Sequence, residues 1–303
     1  MLYEAPFITI YSVVLTGIFG ACMGSFLNCM AWRIVHGEPV SKGRSHCDLC
    51  GHVLGPADLV PAFSYLVHHG RCRYCGEKLS SRHVWAEAIS AVVFVTILLQ
   101  FNISLQALKF MVFASVMLAS SFADLEGYII PDRFILTGLF ARIVFLFFEE
   151  DPLSEGLDSL IGGLAVAAAV LAVVLLFEKF RGIEAMGGGD IKLLFVTGLY
   201  LGWKDNILCL FAACIIGIIF GLTFNKQVGL ETETEAADAD GQYLHGEDNV
   251  QNAELSSESS TDGSDADEEI TAGAFPWGPS IAIAAWLVLL FGNRLIDWYL
   301  SFF

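Results

Sequence analysis

The chain has 303 residues, 55% of them apolar, with a mean hydropathy of +0.62 and a formal charge of −17. A soluble enzyme of this length would carry polar stretches throughout; outside one segment this chain does not. The acidity is just as local: residues 226–270 hold 14 of the 33 acidic side chains against one lysine, and no nucleic-acid partner is expected.

Apolar runs of about 20 residues are long enough to cross a bilayer as helices. Eight recur here, at 7–30, 85–101, 105–122, 134–148, 158–178, 191–203, 207–224 and 279–297; the fourth and sixth are short and draw on their flanks. Only helices and closed barrels satisfy their backbone in lipid, so the sequence predicts an all-α polytopic protein surrounded by membrane lipid. The first run has no Lys or Arg before it, so it reads as an uncleaved first span and not as a signal peptide. Seven of the 16 Lys and Arg residues lie between Arg33 and Arg82. Basic loops stay in the cytoplasm, which places the N-terminus outside. Alternation then makes the loops holding Asp124–Arg133, Lys179–Asp190 and Lys226 cytoplasmic and the acidic stretch 149–158 external.

The expected organisation is a first span (1–32), a cytoplasmic cysteine-bearing domain (33–84), a six-span core (85–224), an acidic insert (225–275) and a last span (276–303). The insert is rich in Glu, Asp, Ser, Thr and Ala. Such a composition buries too little surface to offset chain entropy and reads as a disordered, solvated spacer.

Two cysteine pairs sit in the basic loop, "CDLC" at 47–50 and "CRYC" at 72–75. Cys47, Cys50, Cys72 and Cys75 can close a tetrahedron of thiolates around a soft divalent ion, and structural zinc is the expected occupant. A glycine follows each pair, as a tight knuckle requires. A reducing compartment argues against disulfides. Four thiolates leave no open position, so this metal would build structure and not chemistry. His46, His52, His68 and His69 read as loop histidines, while Cys22, Cys29, Cys209 and Cys214 fall inside spans as small apolar fillers.

Ionisable groups in spans are costly and draw attention as functional candidates. Asp124 ends the third span and Asp190 begins the sixth, both at the cytoplasmic face. If those helices face each other, two carboxylates meet and hold a proton between them. That is aspartic-protease chemistry: one carboxylate activates water and the other, protonated, polarises a carbonyl. An aspartate in a first helical turn also complements the helix dipole, but that role needs no preceding Gly187, Gly188 and Gly189. The glycines would let a substrate strand lie beside Asp190, with Lys192 on the same loop. Asp132, after the helix-starting Pro131, and then Glu126 are the rivals for the role of Asp124. Arg142, within the fourth span, either snorkels outward or pairs with Glu149 or Glu150.

"AMGGGDIKLL" (185–194) resembles the G-x-G-D motif of the type IV prepilin peptidases, a family of membrane aspartic proteases. "FADLEGYIIPDRF" (122–134) is similar to the stretch with that family's first catalytic aspartate, which maps to Asp124. "GSFLNCMAWRI" (24–34) resembles its first-span signature, 47–87 its cysteine-bearing domain, and "FPWGPSIAIAAW" (275–286) the opening of its last span. The resemblance implies an inner-membrane enzyme that cuts basic leaders from type IV prepilins and type II secretion pseudopilins on the cytoplasmic side. The four cysteines belong to the bifunctional form, which also methylates the new N-terminus with S-adenosylmethionine. No strand–Gly-loop–helix unit for that cofactor is visible in the sequence. The chain departs from the family pattern at Asp48, where proline is frequent, and in the acidic insert, which could draw basic leaders by long-range electrostatics. The competing classes are an ion-coupled transporter and a non-catalytic secretion scaffold; carboxylates at one face and the lack of an internal repeat count against the first.

Overall fold

The computed structural model describes residues 6–40, 47, 50–53, 55, 63–79, 81–182, 186–242 and 276–301. Asp48, His46 and residues 243–275 lie outside them. Among the described residues the fold is all-helical, with one isolated antiparallel bridge joining Arg71 and Lys78. Helices form over all eight apolar runs: α1 (Pro6–Val35), α3 (Arg82–Phe101), α4 (Leu105–Gly127), α5 (Asp132–Leu146), α6 (Pro152–Arg181), α7 (Gly188–Leu201), α8 (Trp203–Gln242) and α9 (Gly278–Leu300); a short α2 (Phe63–Val67) lies in the cysteine region. Five of them, α1, α3, α4, α6 and α8 through Leu222, are long and apolar enough to cross a membrane. α5 and α7 have 15 and 14 residues, about 21 Å at helical rise, short of a full hydrocarbon core.

The chain groups into two compact units, Met1–Cys214 with Pro276–Phe303 and Ile215–Phe275. In the second, helix runs through Gln242, into the stretch the composition reads as disordered. Glu and Ala dominate "ETETEAADAD" (231–240), and both are strong helix formers, so an established helix propagates there readily.

In the first unit α4 is central. Thirteen of its residues are buried, from Ala107 to Asp124. Its start is fixed by Ser104, whose Oγ accepts from the Ala107 N–H at 3.1 Å. Its end is fixed by Tyr128, in the left-handed region at φ 53°, whose N–H donates to the Asp124 carbonyl at 2.9 Å. α1, α3, α5 and α9 pack around it, and α6 packs on α7. Small residues set those approaches, as expected where lipid gives no hydrophobic drive between helices. A Cβ on Gly24 would lie 2.5 Å from Ser90 Oγ of α3 and 2.6 Å from the Ala86 carbonyl, and Asn28 Nδ2 reaches His83 Nδ1 at 2.9 Å. The "GSFLN" stretch is thus the seam between α1 and α3. Gly162 and Gly198 meet backbone to backbone at the α6–α7 crossing, and Asn206 Nδ2 donates to the Gly162 carbonyl there at 3.0 Å.

Candidate active site and cysteine cluster

Asp124 occupies the last turn of α4 with 5% of its surface exposed. Its Oδ2 accepts from the backbone N–H of Gly278 at 2.7 Å. Gly278 opens α9, where the first N–H groups have no helical partner and favour an anion. A Cβ on Gly278 would come within 2.9 Å of that oxygen, so the carboxylate and this glycine fit only as they are. Asp190 stands in the first turn of α7, and its buried Oδ1 has no hydrogen-bond partner among the described residues. It is close enough to Asp124 to feel that charge. The two aspartates stand on the third and sixth spans, α4 and α7, which the sequence places at matching depth.

The other acids nearby carry cations. Asp132 Oδ1 accepts from Lys192 Nζ at 2.6 Å, and Glu126 pairs with Arg82. Among the described residues neither Asp124 nor Asp190 has an ion-pair partner. The three glycines divide their roles: a Cβ on Gly189 would press to 3.0 Å on Ile130 Cβ, whereas nothing lies within 4 Å of one on Gly188. Gly189 therefore admits the α4–α5 link, a Cβ on Gly187 would touch Asp190 Oδ2 at 3.5 Å, and Gly188 borders open space among the described residues. Gly278 and the Arg82–Glu126 pair were not singled out from sequence. Gly278 had one signal, a Gly-Pro at the start of a span, where Pro marks the first helical turn and free N–H groups lie close by.

The second site is the cysteine pair of pairs. The sulfurs of Cys47, Cys50, Cys72 and Cys75 lie within 4.8 Å of one another. The two knuckles repeat one turn. Gly51 N–H donates to the Cys47 carbonyl at 2.8 Å and Gly76 N–H to that of Cys72 at 2.9 Å. Cys47 N–H donates to His52 and Cys72 N–H to Glu77. Gly51 and Gly76 hold φ of 67° and 75°, a region that strains any residue with a Cβ. The His52 ring packs on Tyr74 with centroids 3.6 Å apart, joining the knuckles. The backbone N–H groups of Cys75 and Tyr74 pull the Cys72 thiol down to about 7. The Glu77 N–H favours the Cys75 thiolate too, but burial and the neighbouring sulfurs push that thiol up to about 12. Four thiolates so placed repel each other, and a soft divalent cation relieves that repulsion; the donor set fits zinc.

Arg142, expected to snorkel or pair, does the latter inside the bundle. It is 4% exposed. Its Nε donates to the Leu199 carbonyl at 2.8 Å and its Nη2 to Ser159 Oγ at 2.5 Å, and its Nη1 lies 3.6 Å from Glu149 Oε1.

A helical membrane protein with two neighbouring carboxylates that have no cation partner among the described residues, and with a four-cysteine knuckle cluster, fits the class of polytopic membrane enzymes. Residues 18–101 match the bacterial peptidase A24 N-terminal domain, and residues 111–222 match the type IV leader peptidase family. The chain is 34% identical over 208 residues to a prepilin leader peptidase/N-methyltransferase of Bacillus subtilis (strain 168), covering 67% of this chain and 79% of that one. Proteins of the same name from Pseudomonas putida (25% over 308 residues, 94% and 92% covered) and Aeromonas salmonicida (strain A449) (28% over 259 residues, 85% and 75% covered) are also similar. The chain belongs to the type IV leader peptidase family. No solved structure matches it.

Proposed function

We propose that this protein is a multi-pass inner-membrane prepilin leader peptidase and N-methyltransferase, with Asp124 and Asp190 as its catalytic pair. The observation that supports the reading is that Asp190 lies near enough to Asp124 to feel its charge, neither having a cation partner among the described residues, in a chain of the leader peptidase family. A water between them loses a proton to the ionised member and attacks the scissile carbonyl. The protonated member donates a hydrogen bond to the carbonyl oxygen as it gains charge. The tetrahedral intermediate collapses when the leaving amide nitrogen takes a proton, and the pair returns to its starting state. The Gly278 N–H holds Asp124 in one orientation, which spares the reaction the entropy of finding it. Gly187 and Gly188 give the substrate backbone access to Asp190, with Lys192 at the rim.

The substrates are type IV prepilins and type II secretion pseudopilins, cut at the cytoplasmic face, with the N-terminus of the enzyme outside. Basic residues between Arg33 and Arg82 support that orientation. The acidic stretch after residue 225 then shares the side of the basic leaders. Zinc on Cys47, Cys50, Cys72 and Cys75 would hold the cytoplasmic domain in shape. S-adenosylmethionine would supply the methyl group for the new N-terminus. Among the described residues no strand–Gly-loop–helix unit fits an adenosyl group, so no residue is assigned to it.

The test is to incubate the purified protein in detergent and lipid with a prepilin carrying its leader. Mass spectrometry should show loss of the leader and, with S-adenosylmethionine present, addition of one methyl group. Asp124→Asn and Asp190→Asn should retain the fold and leave the substrate whole. Cleavage by both variants at the wild-type rate would remove the pair from the mechanism.

A further inference from the structure

Glu126 stands two residues beyond Asp124, in the last turn of α4, with its side chain 13% exposed. A guanidinium and an imidazole converge on it. Arg82, the first residue of α3, pairs with it through Nη1 and donates from Nη2 to the Phe122 carbonyl at 3.3 Å. His36, just after α1, brings Nε2 to 3.7 Å from Glu126 Oε1. The His36 ring is itself held, stacked on Trp32 at 4.3 Å, with Nδ1 2.9 Å from the Trp32 carbonyl. Only a donor makes that last contact, so Nδ1 carries a proton, and Nε2 faces the carboxylate, where it attracts when it carries one too. Beside them Val35 closes on Gly127, where a Cβ would lie 2.5 Å from Val35 Cγ1.

The last turn of a helix is where it frays, because its final carbonyls lack partners. Here that turn carries Asp124, and a displacement of about 1 Å in a reacting group can lower a rate about 100-fold. His36 and Arg82 also flank the segment that holds both cysteine knuckles. We propose that Glu126 is a positioning residue: with Arg82 and His36 it clamps the end of α4, sets Asp124 against Gly278 and Asp190, and roots both ends of the four-cysteine segment at the active site. The inference rests on the peptidase reading above.

The experiment uses the full chain in detergent and lipid, a synthetic prepilin segment as substrate, and four proteins: wild type, Glu126→Gln, Glu126→Ala and the exchange Arg82→Glu with Glu126→Arg. Positioning predicts a fall in kcat of about tenfold for Gln and about 100-fold for Ala, with KM within about twofold. The exchanged pair should return kcat to within about threefold of wild type, because it restores the ion pair. Amide hydrogen exchange over 122–128 should quicken in the Ala variant and slow again in the exchange. The clamp is overturned if Glu126→Ala keeps kcat within about twofold, if exchange over 122–128 is unchanged, or if the exchanged pair is as slow as Glu126→Ala. If wild type does not cut the substrate, the peptidase reading fails instead, and hydrogen exchange, which needs no substrate, still decides the clamp.

Discussion

The two ends of α4 treat charge in opposite ways. Near its start Lys109 Nζ meets Glu149 Oε1 at 2.7 Å, and Arg142 stands against the same carboxylate while bonding Leu199 and Ser159. About 22 Å further along the helix, Asp124 and Asp190 lie close enough for one to feel the other's charge, and among the described residues neither has a cation partner. At one end Lys109 and Arg142 are both set against Glu149, as a bilayer-embedded fold favours. At the other the fold tolerates an arrangement that destabilises it. The cations of this region are directed elsewhere, Lys192 to Asp132 and Arg82 to Glu126, which is the arrangement the proposed catalytic pair requires.

The strongest way to break this contrast is to neutralise the unmatched end. Asp190→Asn should lower the rate of leader removal by about 10³-fold or more, roughly 4 kcal/mol of transition-state stabilisation. It should not lower the thermal midpoint, because it removes a repulsion. Retention of a tenth of the activity or more would reduce Asp190 to a first-turn dipole partner. Arg142→Met tests the matched end with the opposite expectation. Removing one partner from a buried charge set costs about 3–5 kcal/mol, read as a drop in the thermal midpoint in detergent, while kcat per folded molecule stays at the wild-type value. A lowered kcat with an unchanged midpoint would show that the two ends do not divide stability from chemistry.

Gly278→Ala sharpens the picture at the active end alone. The new methyl would sit 2.9 Å from Asp124 Oδ2, so either the carboxylate turns or α9 shifts. The expected loss in kcat is about tenfold to 100-fold with little change in KM. An unchanged kcat would mean that Asp124 is held by the Gly278 amide only in passing.

The cysteine cluster binds a metal only as its thiols give up their protons. The Cys72 thiol lies below its ordinary 9.0, near 7. Its thiolate therefore persists above that value, and protons compete for it as pH falls through it. One zinc per chain should be found at neutral pH by elemental analysis, and metal should be released on acidification, with the midpoint below 7 because the metal further favours the thiolates. Zinc content that does not change between pH 8 and 5 would place the metal elsewhere.

The spans were legible because hydropathy over about 20 residues is a property of composition alone. The cysteine cluster was legible because two C-x-x-C pairs, each followed by glycine, constrain the turn that repeats in both knuckles. That Asp124 and Asp190 are neighbours could be reasoned from matching depth. What surrounds them could not. The Gly278 amide reaches Asp124 across 154 residues through a backbone N–H, which has no side-chain signature. The partners of Asp132 and Glu126 were equally hidden, since Lys192 and Arg82 lie 60 and 44 residues away and only the packed bundle selects among the cations. The helix through Gln242 was missed for a different reason: a composition too polar to make a core can still extend a helix that a span has already nucleated.

Lys192 gives the smallest and most delicate test, because sequence places it on the substrate-facing loop while the structure pairs it with Asp132. Both side chains are more than half exposed, at 52% and 67%. Exposed pairs contribute about 0–1 kcal/mol, so Lys192→Ala should leave the thermal midpoint nearly unchanged and Asp132→Ala should match it. If Lys192 touches the substrate at the rim of the site, its removal should raise KM by about threefold with kcat intact, whereas Asp132→Ala, which frees the lysine, should not raise KM. Equal KM values in both variants and wild type would confine the pair to the surface and leave the open side of Asp190 to Gly187 and Gly188.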